Sequence, residues 1–196
     1  MAKHWMRRSV LAAACAAAAL LAACGSSTTE SAITPDRFIA FGDAHSDVGQ
    51  KGTRYTINDG SINNWTLQVA DRYGKTLTSA SAGGLSYAQG NARLAATPDA
   101  AGDASTPTIA AQVDAFLAKG SFAANDLILM NGGISDLIVG LAAVQAGSQT
   151  ADAFVAGARA NGKLLAAQVK RLVDAGAPHV LVSGTFDLGI TPWAKT

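Results

Sequence analysis

Three short polar or Gly-rich segments set groups able to donate or accept protons close together in this sequence. The first reads Phe41-Gly42-Asp43-Ala44-His45-Ser46-Asp47-Val48-Gly49 and sets two carboxylates, an imidazole and a hydroxyl close together. The second runs from Gly84 to Ala92 and holds Ser86, Tyr87, Gln89 and Gly90; a glycine lets a backbone N–H approach a ligand with no Cβ in the way. The third is Asn131-Gly132-Gly133-Ile134-Ser135-Asp136-Leu137. No comparable pattern points to a metal or a cofactor, and neither is expected. The 3 histidines, His4, His45 and His179, are scattered, and the 2 cysteines, Cys15 and Cys24, both lie near the N-terminus.

Such segments need a scaffold. Of the 196 residues, 49% are hydrophobic and 15% charged, enough apolar material for one globular domain and the wrong balance for a disordered chain or a coiled coil. A formal net charge of +1 argues against nucleic acid as a partner. Apolar runs at Arg37–Phe41, Asp126–Met130 and His179–Ser183 read as buried parallel strands. Helical spacing recurs between them: Trp65, Leu67, Val69 and Tyr73 before Gly74; Ile109, Val113, Phe116 and Leu117 before Gly120; Ile134–Val144 after the double glycine. A long helical stretch, 150–176, has Phe154, Leu164, Leu165, Val169, Leu172 and Val173 as its apolar side. The Ser, Ala and Gly-rich stretch 79–90 and the stretch 97–106 read as loops. Strands alternating with helices predict an α/β fold of three layers, α/β/α, around a parallel sheet. In such a sheet the active site lies beyond the carboxyl ends of the strands, where the polar segments fall.

The N-terminus reads as an address. Lys3, Arg7 and Arg8 precede an apolar run from Val10 to Ala23, which is shorter than the roughly 20 residues that span a bilayer. The run ends in Leu21-Ala22-Ala23-Cys24-Gly25, which resembles a bacterial lipobox, whose cysteine becomes the lipidated first residue of the mature chain. The resulting organisation is a signal peptide over 1–23, a polar linker over 24–36 and a domain over 37–196. Cleavage removes three basic side chains and turns the balance acidic. Each buried CH₂ of a lipid chain contributes about 0.8 kcal/mol, so a multiply acylated cysteine holds a domain at the bacterial envelope.

Taken in order, the three polar segments resemble the blocks of the GDSL, or SGNH, family of lipases and acyl hydrolases. That family's first block reads Gly-Asp-Ser-Leu-Ser-Asp after a strand, its second supplies an oxyanion glycine in a Tyr-Ala-x-Gly setting, and its third reads Gly-x-Asn-Asp. Thr185–Pro192 further resembles its Leu-Gly-x-Thr-Pro loop. The likeness covers about Arg37 to Pro192. It implies an SGNH-type α/β/α domain and hydrolysis of an ester or lipid through a serine ester. It places the nucleophile at position 44, and the oxyanion donors at Gly90, position 135 and the N–H beside position 44. Asp43, Asp47 and Asp136 support the first and third blocks.

The departures bear on the chemistry. Position 44 is Ala44, and a methyl group cannot attack a carbonyl. Loss of a triad nucleophile costs on the order of 10⁶ in kcat. Ser135 stands where the family has asparagine and keeps one hydroxyl donor. The family's C-terminal Asp-x-x-His block is not found before Thr196, so the domain is expected to lack its last elements. Ser46 matches the family's second serine and reads as a helix N-cap, with a lesser role as substitute nucleophile. His45 occupies the family's leucine position and reads as a rim residue. Asp43 and Asp47 read as turn stabilisers, Asp136 as a helix cap, Tyr87 and Trp65 as core aromatics, and Asn58-Asp59-Gly60 as a turn. The expectation is therefore an ester-hydrolase-type domain impaired in acyl transfer, or a non-catalytic envelope lipoprotein that keeps the cleft as a binding surface. A third reading is an enzyme that uses Ser46 or a bound water.

The lipobox reading generates a direct test. Expressed in a Gram-negative host and fed labelled fatty acid, the protein is expected to incorporate label and partition with membranes. Cys24→Ser is expected to abolish both, and an unlabelled periplasmic wild type would refute the assignment.

Overall fold

A computed structural model describes residues 31–192; Cys24, the signal peptide and most of the polar linker lie outside the described residues. From Ile33 onward the chain forms one compact unit. Strand β1 (Arg37–Phe41) pairs in parallel with β2 (Asp126–Asn131), which pairs in parallel with β3 (His179–Ser183), giving the order β1-β2-β3. β2 is buried throughout, as a central strand with helices on either side must be.

The two faces of the sheet are apolar for different partners. On one, Ile39, Phe41, Ile128 and Met130 meet Ile109, Val113 and Phe116 of α2 (Ile109–Leu117) and Leu165, Val169 and Leu172 of α4 (Ala151–Asp174). Phe41, Tyr87 and Phe116 form an aromatic knot there, with centroids 5.6 to 6.0 Å apart. On the other face, Phe38, Ala40, Leu127 and Leu129 meet Leu67 and Ala70 of α1 (Trp65–Arg72). The fold is thus α/β with a parallel sheet between helical layers. Helix α3 (Ile134–Gln145) packs against α4. None of the described helices is long and apolar enough to cross a membrane.

Local sequence explains the element ends. The side chains of Asn64, Thr108 and Thr150 accept from Leu67 N, Ala111 N and Ala153 N and so cap α1, α2 and α4. Helix α3 starts without a side-chain cap. Its N-cap is Gly133 at φ +103°, a left-handed turn that lets the chain reverse directly from β2 into the helix.

Three details depart from the sequence reading. The apolar side of α4 is narrower than expected: Leu172 and Gln168 are buried, while Leu164 and Val173 are 39% and 53% exposed. One residue along a helix turns the side chain by about 100°, which takes Leu164 off the stripe that Leu165 occupies. In α1 the buried row is Thr66, Leu67 and Ala70, and Trp65, Val69 and Tyr73 flank it. The 79–90 stretch is more than a loop. Leu85 and Tyr87 hydrogen-bond Ala40 (Ala40 N to Leu85 O, 3.0 Å; Tyr87 N to Ala40 O, 2.7 Å), so Ser86 bridges the outer edge of β1 in parallel.

A charged clamp fixes the amino end of the sheet. Asp126, fully buried, accepts from Arg37 Nε at 2.8 Å and Nη2 at 2.6 Å, and from Ala123 N at 2.8 Å. The hydrogen bonds to Asp126 hold the Arg37 guanidinium above its ordinary range. Asp126→Ala is expected to lower stability by about 2–3 kcal/mol in urea unfolding, because it removes charge-assisted bonds and leaves the Ala123 N–H unpaired. A change under 0.5 kcal/mol would show the clamp to be incidental.

Candidate functional site

At the carboxyl end of the sheet the three polar segments converge. The parallel register sets Phe41 beside Met130, so Gly42 and Asn131 come next to each other at the strand ends. A Cβ on Gly42 would lie 1.9 Å from Asn131 Oδ1, which is why this position is glycine. Gly42 is also held from the other side. Its N–H donates to Gln112 Oε1 and its carbonyl accepts from Gln112 Nε2, both at 2.9 Å, from the buried face of α2.

Asn131 is the hub. Its Nδ2 donates to Asp43 Oδ1 at 2.6 Å, and its Oδ1 accepts a short bond from Ser46 Oγ. Ser46 Oγ in turn accepts from Trp65 Nε1 at 3.0 Å. Ser46 and Asp43 are both fully buried. Ser46 does not cap a helix: the next α-helix begins at Trp65, and Ser46 instead sits in a turn closed by its N–H on Asp43 O at 3.0 Å. Its hydroxyl links the loop to Trp65 and Asn131.

The acidic residues hold the blocks together. Asp47 Oδ1 accepts from Gly49 N and Gln50 N, the expected turn role, and its Oδ2 accepts from Gly90 N at 2.8 Å. The Gly90 N–H, expected to serve an oxyanion, is engaged by Asp47. A Cβ on Gly90 would strike the ring of Tyr55, which covers it. Asp136 lies in the first turn of α3, but its carboxylate accepts from Leu94 N at 2.9 Å and Arg93 Nε at 3.1 Å rather than capping the helix. Ser135 is buried in the same turn. Ala44 is 8% exposed, between Asp43 and the half-exposed His45. Asn58-Asp59-Gly60 is a turn, with Ser61 N donating to Asp59 Oδ1 at 2.9 Å and Gly60 at φ +77°.

Beside this network lies a cavity of about 230 Å³ lined by His45, Trp65, Asn131, Ile134, Thr185 and Phe186 among others. Trp65 is thus a wall of the cavity and not simply a core aromatic, while Tyr87 does pack in the core. His45 meets Phe186 edge-on, centroids 5.4 Å apart at 77°, and its Nδ1 stands 3.6 Å from Asp43 Oδ1. Among the described residues, Asp43 Oδ2 and Ser86 Oγ are the buried side-chain atoms with no hydrogen-bond partner.

Sequence reasoning gave Asn131 only a turn and gave Gln112 no role. The available signal for Asn131 was a polar residue ending a continuous buried run just before two glycines. Gln112 had none beyond its place in the row of Ile109, Val113 and Phe116.

No family model matches this chain, and no curated protein matches it.

The network generates a prediction for Ser46. Ser46→Ala leaves the partly buried Trp65 N–H and the buried Asn131 Oδ1 without their shared partner. It is expected to lower stability by about 1–3 kcal/mol in denaturant unfolding. A variant as stable as the wild type would show that Ser46 is free of structural duty.

Proposed function

We propose that this chain is an acyl-hydrolase-type domain of the GDSL, or SGNH, kind, carried on the bacterial envelope through Cys24. Its cleft at the carboxyl ends of β1 and β2 takes an ester or lipid acyl group. The observation that carries the reading is the joining of the first block to the other two, far apart in sequence, by direct hydrogen bonds: Asp43 to Asn131 at 2.6 Å and Asp47 to Gly90 at 2.8 Å, with Asp136 of the third block held by Leu94 N, just past the second, at 2.9 Å. The apolar walls of the adjoining cavity, Trp65, Ile134 and Phe186, suit an acyl chain.

Ala44 removes the acyl-serine step. Ser46 does not replace it, since its oxygen is buried and already bonded to both Trp65 and Asn131. The remaining oxyanion donors in this reading are the Ser135 hydroxyl and the N–H beside Ala44. A second reading, a binding surface without turnover, draws support from the Gly90 N–H being occupied by Asp47.

Two measurements test the proposal. The purified chain is expected to resist labelling by a fluorophosphonate probe, which reports an activated serine. It is also expected to bind 2-heptanone, which offers a carbonyl and a short chain without a leaving group, with amide resonance shifts centred on His45, Gly132 and Phe186. Phe186→Ala is expected to weaken that binding about tenfold, the worth of ~1.4 kcal/mol of apolar contact. Absence of binding would refute the cleft assignment. Labelling that is lost in Ser46→Ala would make Ser46 the nucleophile.

A further inference from the structure

The cleft contains an acid–base pair that the GDSL resemblance does not assign. His45 lines the cavity of about 230 Å³, and its Nδ1 stands 3.6 Å from Oδ1 of the fully buried Asp43. The Asp43 carboxylate accepts from Asn131 Nδ2 at 2.6 Å and, at a long 3.4 Å, from the His45 backbone N–H; its Oδ2 is buried without a partner. A buried carboxylate is costly, and a neighbour that can bear a proton offsets its charge; His45 faces Oδ1 of this one. Among the described residues the basic side chain within 4 Å of Asp43 is His45. The Phe186 ring packs edge-on against the imidazole, centroids 5.4 Å apart. With Nδ1 toward Asp43, Nε2 is the nitrogen left for the cavity. The Nδ1–Oδ1 separation exceeds a hydrogen bond, as catalytic contacts commonly do before substrate closes them.

We propose that His45, oriented by Asp43, is a general base that drives direct attack of water on a short-chain acyl ester held in this cavity. The proposal rests on the reading of the cleft as an acyl site. The attacking water takes the role that a serine oxygen would have at position 44. Its oxygen bonds to the ester carbonyl carbon, one of its protons passes to His45 Nε2, and the carbonyl electron pair moves onto oxygen. Asp43 faces the positive charge that forms on the imidazole. The oxyanion then collapses, the carbon–alkoxy bond breaks, and His45 returns the proton to the departing alkoxide. Products are a carboxylic acid and an alcohol, with no change of oxidation state and no acyl-enzyme. The cavity is smaller than the ~300–1,000 Å³ typical of drug-sized ligands, which selects short acyl groups over full lipid tails.

The experiment follows p-nitrophenyl acetate hydrolysis by the purified chain beside 2-heptanone binding. Steady turnover without a burst of p-nitrophenol is expected. His45→Gln is expected to lower kcat by about 10²-fold or more while 2-heptanone, which also contacts the other cavity walls, still binds within about threefold of the wild-type affinity. Asp43→Asn is expected to lower kcat while KM and 2-heptanone affinity persist, a split that a merely structural role would not produce. Hydrolysis that is absent, or indifferent to His45→Gln, while 2-heptanone still binds would overturn this proposal and leave the cleft assignment standing. Loss of 2-heptanone binding in the unmodified chain would remove both. A burst that disappears with His45 would make it a nucleophile and overturn the general-base role.

Discussion

Both ends of one carboxamide, that of Asn131, are committed to the loop after β1: the amide nitrogen to Asp43 and the oxygen to Ser46. Through Ser46 the same oxygen is tied to the indole of Trp65 on α1. Were Asn131 displaced, a buried carboxylate, a buried hydroxyl and their neighbours would lose partners together, at about 1–3 kcal/mol for each group stranded. Its position follows from strand register. Pairing Phe41 with Met130 puts Asn131 against Gly42, and the absent side chain at Gly42 makes room for the carboxamide. Sheet geometry and cleft geometry are therefore one arrangement.

On the proposed acyl-hydrolase reading, this arrangement explains how the outline of the site persists with Ala44 at the nucleophile position. The motif residues Ser46, Asp47 and Asp136 spend their polar atoms on other parts of the protein: an indole, the loop backbone at Gly90, the loop backbone at Leu94. They are needed for the blocks to meet whether or not an acyl group is ever transferred. Ala44 sits inside this framework as a small buried side chain and disturbs none of its bonds. Resemblance carried by such residues reports architecture first and chemistry second.

The strands and helices were legible because their signals are local: short apolar runs, 3.6-residue spacing, and Asn, Thr or Gly at the ends. The joining of the polar segments was not, because a hydrogen bond between positions 47 and 90 leaves no periodicity in either. Ser46 shows the difficulty. A serine just before an aspartate reads as a cap, yet no α-helix follows it until Trp65, and its partner is on a strand 85 positions away. The strand-like segment at Ser86 was hidden by its Ser and Gly content, since a single bridge on a sheet edge needs no β-branched run. His45 was legible as a rim residue, but the orphan oxygen of Asp43 behind it belongs to three dimensions alone.

Gln112 ties helix α2 to the end of a strand. Its side chain presents one donor and one acceptor to Gly42 at equal 2.9 Å distances, as a neighbouring peptide unit would. A helix residue thereby imitates a strand just past β1 and shares the Gly42 carbonyl with Gln89 N, which donates to it at 3.1 Å. The chain beyond β1 is consequently coupled to helix registration. Sliding α2 by one residue shifts it about 1.5 Å and swings Gln112 through about 100°, which abolishes the imitation. The chain can drift in sequence at the exposed turns of α2, but its phase against the sheet is locked.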